Sequence, residues 1–156
     1  MARIIERTEE IALDQIPPLK HSPATKGGAI TKAATEVGST VGAKFLVAFT
    51  QSGDSARRMS RLRSPIPMLA LTPEIGTYNR LALSWGVESM LTKIVNHTDE
   101  MVMQVDSILI DSKRVNIGDL VLIVAGSPPG IPGSINAMRV HKIGDAVGGV
   151  AAAYRK

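Results

Sequence analysis

The stretch of residues 44–63 restricts the possible fold more than any other part of the chain. It reads KFLVAFTQSGDSARRMSRLR, in which a short apolar run is followed by a small polar loop with a central glycine and then by a helical pattern with four arginines. A strand, a short loop and a helix in this order are typical of one unit of an α/β domain. Such a loop is a candidate anion site, because glycine permits close approach of the backbone and a helix start presents unpaired N–H groups. Most loops of this kind bind nothing, so the pattern alone leaves both interpretations open.

The same alternation of apolar runs and helical patterns continues along the chain. The apolar runs predict strands at 44–50, 68–71, 87–92, 120–125 and 137–143. The helical patterns predict helices at 2–16, 27–41, 56–63, about 74–84 and from residue 98 to about residue 109. Thr72 and Pro73 are predicted to be the N-cap and the first residue of the fourth of these helices.

This order of elements predicts an α/β fold, a three-layer α/β/α sandwich with a mixed five-stranded sheet. Strand–helix–strand units are right-handed and produce parallel strands that are covered on both faces. The last two strands are separated only by the loop GSPPGIPG, which is too short for a crossover helix, so the last strand is expected to run antiparallel at an edge. Ligands of such sheets gather at the carboxyl ends of the strands, where we expect the loops at 50–55, 72–77 and 126–133.

Composition limits the classes of function. The chain has 156 residues, enough for one domain with a core, and no apolar run long enough to span a bilayer or to resemble a signal peptide. We therefore expect a cytoplasmic protein with no membrane partner. The absence of cysteine excludes disulfides, thiol nucleophiles and Cys-ligated metals. The net charge of +4 is compatible with binding to nucleic acid. The basic residues are scattered, however, and aromatic residues make up only 3% of the chain, so no nucleic-acid partner is expected.

No convincing catalytic residue or metal site is found. His97 stands beside Asp99 and Glu100, but carboxylates in the first turn of a helix are explained by the helix dipole. The other two histidines, His21 and His141, are far from His97 and from each other along the chain. What remains is a phosphate site without a catalytic apparatus, built on the hydroxyl groups and amides of residues 50–56, with the loop 126–133 folding over it. A binding module therefore fits the sequence better than an enzyme does.

Beyond these patterns, the chain resembles the C-terminal, allosteric α/β domain of pyruvate kinase of the bacterial type. The resemblance lies in segments that occur in the same order: GGAITKAATEVG (27–38), AKFLVAFTQSGDSARRMSRLRSPIPMLALTP (43–73), NRLALSWGV (79–87), TDEMV (98–102) and GDLVLIVAGSPPGIPGSINAMRVHKIG (118–144). It implies three parts. Residues 1–20 would be a helix and connector from a missing catalytic barrel, 21–144 the domain itself, and 145–156 a tail.

The resemblance also implies a sheet of order 3-2-1-4-5 and an effector that is a sugar phosphate or AMP. The implied phosphate-binding residues are Thr50, Gln51, Ser52, Gly53, Asp54 and Ser55. The implied closing loop contains Gly126, Ser127, Pro128, Pro129, Gly130, Ser134 and Asn136. No cofactor is expected in this domain, because the magnesium and potassium of the whole enzyme bind in the barrel. The chain alone is then not an enzyme, whereas the parent protein is a glycolytic phosphotransferase that transfers phosphate from phosphoenolpyruvate to ADP.

Two departures from the family pattern affect the expected site. Asp54 stands where the family often has Lys or Arg, and its carboxylate repels a phosphate unless a neighbouring arginine offsets it. Ile135 replaces a common threonine of the closing loop. Because the loop 126–133 also lacks basic and aromatic residues, a monophosphate such as glucose 6-phosphate, ribose 5-phosphate or AMP is favoured over fructose 1,6-bisphosphate.

Self-association is expected through the N-terminal helix or the last strand, and the catalytic barrel is a further expected partner. The alternative is an oligomerisation or interaction module that binds no ligand.

Overall fold

Helices and strands alternate along the chain in the computed structural model, which describes residues 2–17, 24–127, 129, 131 and 133–146. The helices are α1 (Ala2–Ala12), α2 (Lys26–Thr40), α3 (Asp54–Ser60), α4 (Ile75–Leu81) and α5 (Thr98–Asp111), and a single 3₁₀ turn, Leu13–Gln15, follows α1. The strands are β1 (Phe45–Phe49), β2 (Met68–Thr72), β3 (Val87–Leu91), β4 (Leu120–Gly126) and β5 (Ile135–Lys142).

The five strands form one sheet in the order β3-β2-β1-β4-β5. Strand β1 is parallel to β2 and to β4, and β2 is parallel to β3. Strand β5 is antiparallel to β4 at the edge. The predicted α/β/α fold, the strand order and the direction of the last strand are all confirmed.

The core consists of two clusters, one on each face of the sheet. Leu46, Met59 and Leu122 belong to the cluster beneath α2 and α3. Val47 and Val105 belong to the cluster beneath α5. Neighbouring residues of a strand point to opposite faces, so central strands covered on both sides must be apolar at every position. This requirement explains the uninterrupted apolar sequences of β1 and β4.

A register shift between Ala125 and Gly126 interrupts the pairing of β4 with β5. Because of this shift, Ile135 packs in the cluster beneath α2, whereas His141 further along the strand contacts α5. The shift therefore decides which side chains of β5 face each layer of helices.

The predicted start of α4 was wrong. Thr72 is the last residue of β2 and pairs with Leu91, and the helix begins at Ile75 with Glu74 as its N-cap. The Thr72 hydroxyl instead accepts a hydrogen bond from the Glu74 N–H at 3.2 Å, within the turn that joins strand and helix. Pairing in the sheet thus overrides the local capping preference of threonine.

The predicted domain boundaries stay predictions. The boundary at residue 20 and nearly all of the predicted tail lie outside the described residues. The beginning of that predicted tail does contact the domain, because Ala146 is buried in the cluster beneath α5.

Candidate functional site

A tight loop at residues 50–55, called here the 50–55 loop, follows β1 at the carboxyl end of the sheet. The Thr50 hydroxyl accepts a hydrogen bond from the Gly53 N–H at 2.9 Å and so closes the turn. Gly53 has a φ of 82°, a left-handed conformation that glycine adopts without strain. The loop is held from α4, because the Thr77 hydroxyl donates a hydrogen bond to the Gln51 carbonyl at 2.6 Å.

Gly53 is required for space as well as for conformation. A Cβ at this position would lie 2.9 Å from Arg57 Nη1 and 3.3 Å from the side chains of Thr77 and Leu81. Glycine therefore allows α3 and α4 to approach the loop closely, and this approach places the Arg57 guanidinium against it. Arg57 Nη1 donates a hydrogen bond to the Ser52 carbonyl at 3.1 Å.

The charge of Asp54 is offset by Arg58. Arg58 Nε lies 2.6 Å from Asp54 Oδ2, and Arg58 Nη1 donates a hydrogen bond to the Thr25 hydroxyl at 3.1 Å. That same hydroxyl accepts a hydrogen bond from the Gly28 N–H and caps α2. Arg58 thus joins the first turn of α3 to the first turn of α2, and it provides the neighbouring arginine that an anion site beside Asp54 requires.

The loop between β4 and β5 has a hydrogen-bonded base. The Ser127 N–H donates to Asn136 Oδ1 at 2.7 Å, and Asn136 Nδ2 donates to the Ser127 carbonyl at 2.6 Å. Within the loop, the Ser134 hydroxyl donates to the Ile131 carbonyl at 2.7 Å and lies so close to Gly126 that a Cβ there would be 2.2 Å away. Four of the predicted closing residues, Gly126, Ser127, Ser134 and Asn136, therefore form the base of the loop.

The other three predicted closing residues are Pro128, Pro129 and Gly130. Pro129 borders the cleft described below, whereas Pro128 and Gly130 lie outside the described residues. Ile135, where a threonine is common in the family that the chain resembles, is buried beneath α2 with Gly27 as a neighbour. Its side chain contributes to the core.

The two loops meet across a small cleft with a volume of about 60 Å³ at the carboxyl ends of β1, β2 and β3. Thr50 and Gln51 border it on one side, and Gly126 and Pro129 on another. The other predicted phosphate-binding residues are distributed around the loop: Ser52 is exposed, Gly53 and Ser55 are buried, and Asp54 is half-buried. The structure thus brings the beginnings of both predicted loops together and leaves the remaining residues outside the lining of the cleft.

Sequence reasoning missed the third side of the cleft, which contains Thr92, Lys93, Ile94 and Val95. The Lys93 carbonyl accepts a hydrogen bond from Gln104 Nε2 at 3.3 Å, which connects this segment to α5. The signal was present, because Lys93 lies two residues after the carboxyl end of the parallel strand β3. It is the one cationic side chain among the described residues that line the cleft.

Sequence reasoning also missed a buried acid–histidine pair. Asp106 Oδ1 lies 2.7 Å from His141 Nε2, although the two residues are 35 positions apart. Asp106 Oδ2 accepts hydrogen bonds from the N–H groups of Gly144, at 3.0 Å, and Ala146, at 3.2 Å. With every one of these partners inside the protein, the pair has a structural role.

Two further findings concern the described part of the chain. Within it, no group of three or more His, Cys, Asp or Glu side chains is arranged to hold a metal ion. No helix in these residues is both long enough and apolar enough to cross a bilayer.

Comparison with known proteins agrees with this architecture. The family model described as pyruvate kinase, alpha/beta domain, matches residues 28–141. The pyruvate kinase of Mycobacterium tuberculosis (strain CDC 1551 / Oshkosh) is 48% identical over 145 residues, which cover 93% of this chain and 30% of that protein. The pyruvate kinase of Corynebacterium glutamicum is 41% identical with the same coverage.

Solved structures support the same fold. A pyruvate kinase from Cryptosporidium parvum superposes with a TM-score of 0.70 at 21% identity, and the match covers 79% of this chain and 24% of that one. This chain thus spans about 30% of the length of the curated relatives that it matches. Together with the sheet order and the match of the family model, these likenesses show that the chain belongs to the pyruvate kinase family and comprises its C-terminal alpha/beta domain.

Proposed function

We propose that this chain is the regulatory domain of a pyruvate kinase and that it binds a phosphorylated effector in the cleft between the 50–55 loop and the β4–β5 loop. The observation that carries the proposal is the meeting of Thr50 and Gln51 with Gly126 and Pro129 around that cleft. Ligands of open α/β sheets bind at this end of the strands. The parent enzyme would transfer phosphate from phosphoenolpyruvate to ADP in the cytoplasm, with magnesium and potassium bound in its catalytic barrel and no cofactor in this domain.

The charges around the cleft favour a single phosphate. Lys93 borders the cleft, and the Arg57 guanidinium lies against the 50–55 loop. Asp54 does not oppose binding, because Arg58 offsets its charge at 2.6 Å. One lysine with one neighbouring arginine suits a monophosphate, so we favour glucose 6-phosphate, ribose 5-phosphate or AMP over fructose 1,6-bisphosphate.

The apolar lining suits the remainder of such an effector. Phe49, Leu71 and Ile94 border the cleft beside the polar residues. Small-molecule sites commonly combine apolar walls with a few polar groups that fix orientation. A volume of about 60 Å³ cannot enclose a sugar or purine ring, because a cavity that binds benzene measures about 150 Å³. The ring would therefore lie over the mouth of the cleft against part of these walls, while its phosphate points toward Lys93 and the 50–55 loop.

The experiment is a titration of melting temperature with glucose 6-phosphate, ribose 5-phosphate, AMP and fructose 1,6-bisphosphate, each against a sulfate control. A ligand that binds only the native state raises stability by about 2.7 kcal/mol at a hundredfold excess over its Kd. A selective, saturable rise supports the proposal. A Lys93→Gln variant should lose most of this rise, whereas Arg61→Gln, which changes an exposed arginine near the end of α3, should keep it. No rise with any compound would contradict effector binding.

A second candidate function is an interaction module without a ligand, which the exposed apolar surface of α1 favours. Ile4, Ile5 and Ile11 are 65%, 54% and 57% exposed. Isolated apolar residues on a surface are ordinary, but a row of them on one helix indicates a partner. We infer that α1 contacts a catalytic barrel or a second copy of the chain, that β5 is an alternative contact, and that neither nucleic acid nor a membrane is a partner.

Sedimentation at increasing concentration tests self-association. We expect a concentration-dependent dimer that an Ile4→Glu, Ile11→Glu variant weakens if α1 forms the contact. A Val140→Glu variant, which changes a residue on β5 that is 43% exposed, should weaken it if the edge strand forms the contact. A chain that stays monomeric at high concentration would contradict self-association through either α1 or β5.

A further inference from the structure

We propose that a second cavity, between α5 and the β4–β5 ribbon, binds a small organic acid that has an apolar body and a single carboxylate. The cavity lies on the α5 side of the sheet and has a volume of about 210 Å³. The observations behind this proposal are separate from those behind the proposed effector site, so the two proposals can fail separately.

The walls of the cavity are apolar and come from three elements. Val102 belongs to α5, Ile123 and Ala125 belong to β4, and Ala137 belongs to β5. A cavity of about 150 Å³ with comparable walls accommodates benzene, so this cavity has room for an aromatic ring or a short branched chain together with a carboxylate. The small size of Ala125 and Ala137, which pair across the ribbon, contributes to this space.

Arg139 is the one cationic side chain among the described residues that line the cavity. It is half-buried, and within the described part of the chain its guanidinium takes part in no ion pair. A partly desolvated guanidinium without a counter-ion gains more from an incoming anion than an exposed one does. Arginine also binds a carboxylate through two parallel hydrogen bonds.

The register between α5 and β5 explains why Arg139 lacks an acidic partner. His141, two residues further along the strand on the same face, meets Asp106 of α5 at 2.7 Å. One helical turn before Asp106, at the level of the cavity, α5 carries Val102. The interface between α5 and β5 therefore contains the hydrogen-bonded pair of Asp106 and His141 and, beside it, Arg139 against an apolar wall.

The acidic residues of the first turn of α5 are the groups that could oppose an anion. Glu100 Oε2 already accepts a hydrogen bond from the Asn96 N–H at 2.7 Å, and Asp99 is exposed. Thr98, in the same turn, borders the cavity. With one cation and mostly apolar walls, the site suits a monoanionic carboxylate better than a phosphate with two charges.

The cavity also borders the proposed effector cleft, because Met101 and Gly126 line both. A ligand in the cavity would contact the beginning of the β4–β5 loop. Occupancy of one site should therefore change the affinity of the other, and by linkage the effect must be reciprocal.

The test is an NMR titration of the full chain with benzoate, benzyl alcohol and acetate. Benzyl alcohol has nearly the same body as benzoate without the charge, and acetate has the charge without the body. We expect saturable shifts at the amides of Val102, Ala125 and Ala137 with benzoate, and at least about tenfold weaker binding of the other two compounds. Equal affinity for benzoate and benzyl alcohol, or shifts confined to other residues, would overturn the proposal.

Two variants test the contribution of the Arg139 charge and that of the cavity volume separately. Arg139→Gln should weaken the binding of benzoate about tenfold or more and leave the affinity for benzyl alcohol unchanged. The matched control, Arg61→Gln, should bind benzoate like the unmodified chain. Ala137→Leu should fill the cavity and abolish the binding of both compounds, which keeps the test decisive even if Arg139→Gln does not fold. Unchanged benzoate binding in a folded Arg139→Gln or Ala137→Leu variant would disprove the assignment.

Discussion

Asp106 and His141 form a buried hydrogen-bonded pair that connects α5 to the edge strand β5. Their side chains are only 8% and 2% exposed, and Asp106 Oδ1 lies 2.7 Å from His141 Nε2. The other oxygen of the same carboxylate accepts the N–H groups of Gly144 and Ala146, so one side chain holds a helix, a strand and the segment that follows the strand. A buried polar group with all its partners present confers specificity, but it is costly to disrupt.

Replacing Asp106 by alanine should therefore destabilise the domain strongly. The variant would leave His141 and two backbone N–H groups buried without partners, and we expect a loss of about 3–5 kcal/mol in the free energy of unfolding, measured with urea. Asp111→Ala is the matched control, because Asp111 is an exposed residue of the same helix, and its effect should stay within about 0.5 kcal/mol. A loss below about 1 kcal/mol in the Asp106 variant would show that these hydrogen bonds contribute little.

Gly53→Ala should destabilise the domain and distort the 50–55 loop. Its φ of 82° strains any residue with a Cβ, and that atom would meet Arg57 Nη1 at 2.9 Å. We expect a loss of about 1–3 kcal/mol. Gly76→Ala is the control, because a Cβ there has no atom within 4 Å and the residue lies in helix α4. That change should stabilise the protein by up to about 1 kcal/mol, and thermal unfolding of both variants measures the contrast.

The ion pair between Asp54 and Arg58 should control the affinity of the 50–55 loop for phosphate. Arg58→Gln would free the Asp54 carboxylate and is expected to weaken phosphate binding. Asp54→Lys would add a cation beside the loop and leave Arg58 without its carboxylate partner, so it is expected to strengthen phosphate binding. Each variant should change the affinity about tenfold, which corresponds to about 1.4 kcal/mol. Isothermal titration with the effector found in the melting experiment measures both. Weaker binding in the Asp54→Lys variant would contradict the assigned role of the loop.

Leu122→Ala should produce one of the larger losses of stability in the core. Leu122 is fully buried in the interior strand β4, and its truncation leaves a cavity between β4 and α2. We expect a loss of about 2–5 kcal/mol in urea unfolding. Leu83→Ala, at a position that is 92% exposed, should change stability by less than about 0.5 kcal/mol.

The contact between Trp85 and Glu9 should hold α1 against the domain. The Trp85 indole N–H donates to Glu9 Oε1 at 2.6 Å, and the Arg63 guanidinium lies 4.5 Å from the centre of the ring. Glu9→Ala is expected to increase amide exchange throughout α1 while exchange in β1 and β4 stays unchanged, because local opening need not involve the sheet. Fluorescence of Trp85, the single tryptophan, should change as well. Glu10→Ala, which removes only an exposed ion pair with Arg7, is the control that should change neither quantity.

Local sequence determined the elements and most of the topology of this protein. The uninterrupted apolar run of β4 indicated a central strand buried on both faces, and the short Gly/Pro loop after it required β5 to turn back antiparallel. Both conclusions follow from chain geometry over a few residues. The strand order came from the family resemblance and agrees with the sheet.

Only the tertiary structure decided which residues meet across the fold. Asp106 and His141 are 35 positions apart and Arg58 and Thr25 are 33 apart, and no local pattern indicates either contact. Lys93 likewise joins the cleft only because parallel pairing brings the end of β3 to the same edge as the 50–55 loop. Thr72 failed as a predicted helix cap for the same reason, since pairing with Leu91 keeps it in the strand. Periodicity and turn chemistry act over a few residues, whereas the partners of a buried charge depend on how distant segments pack.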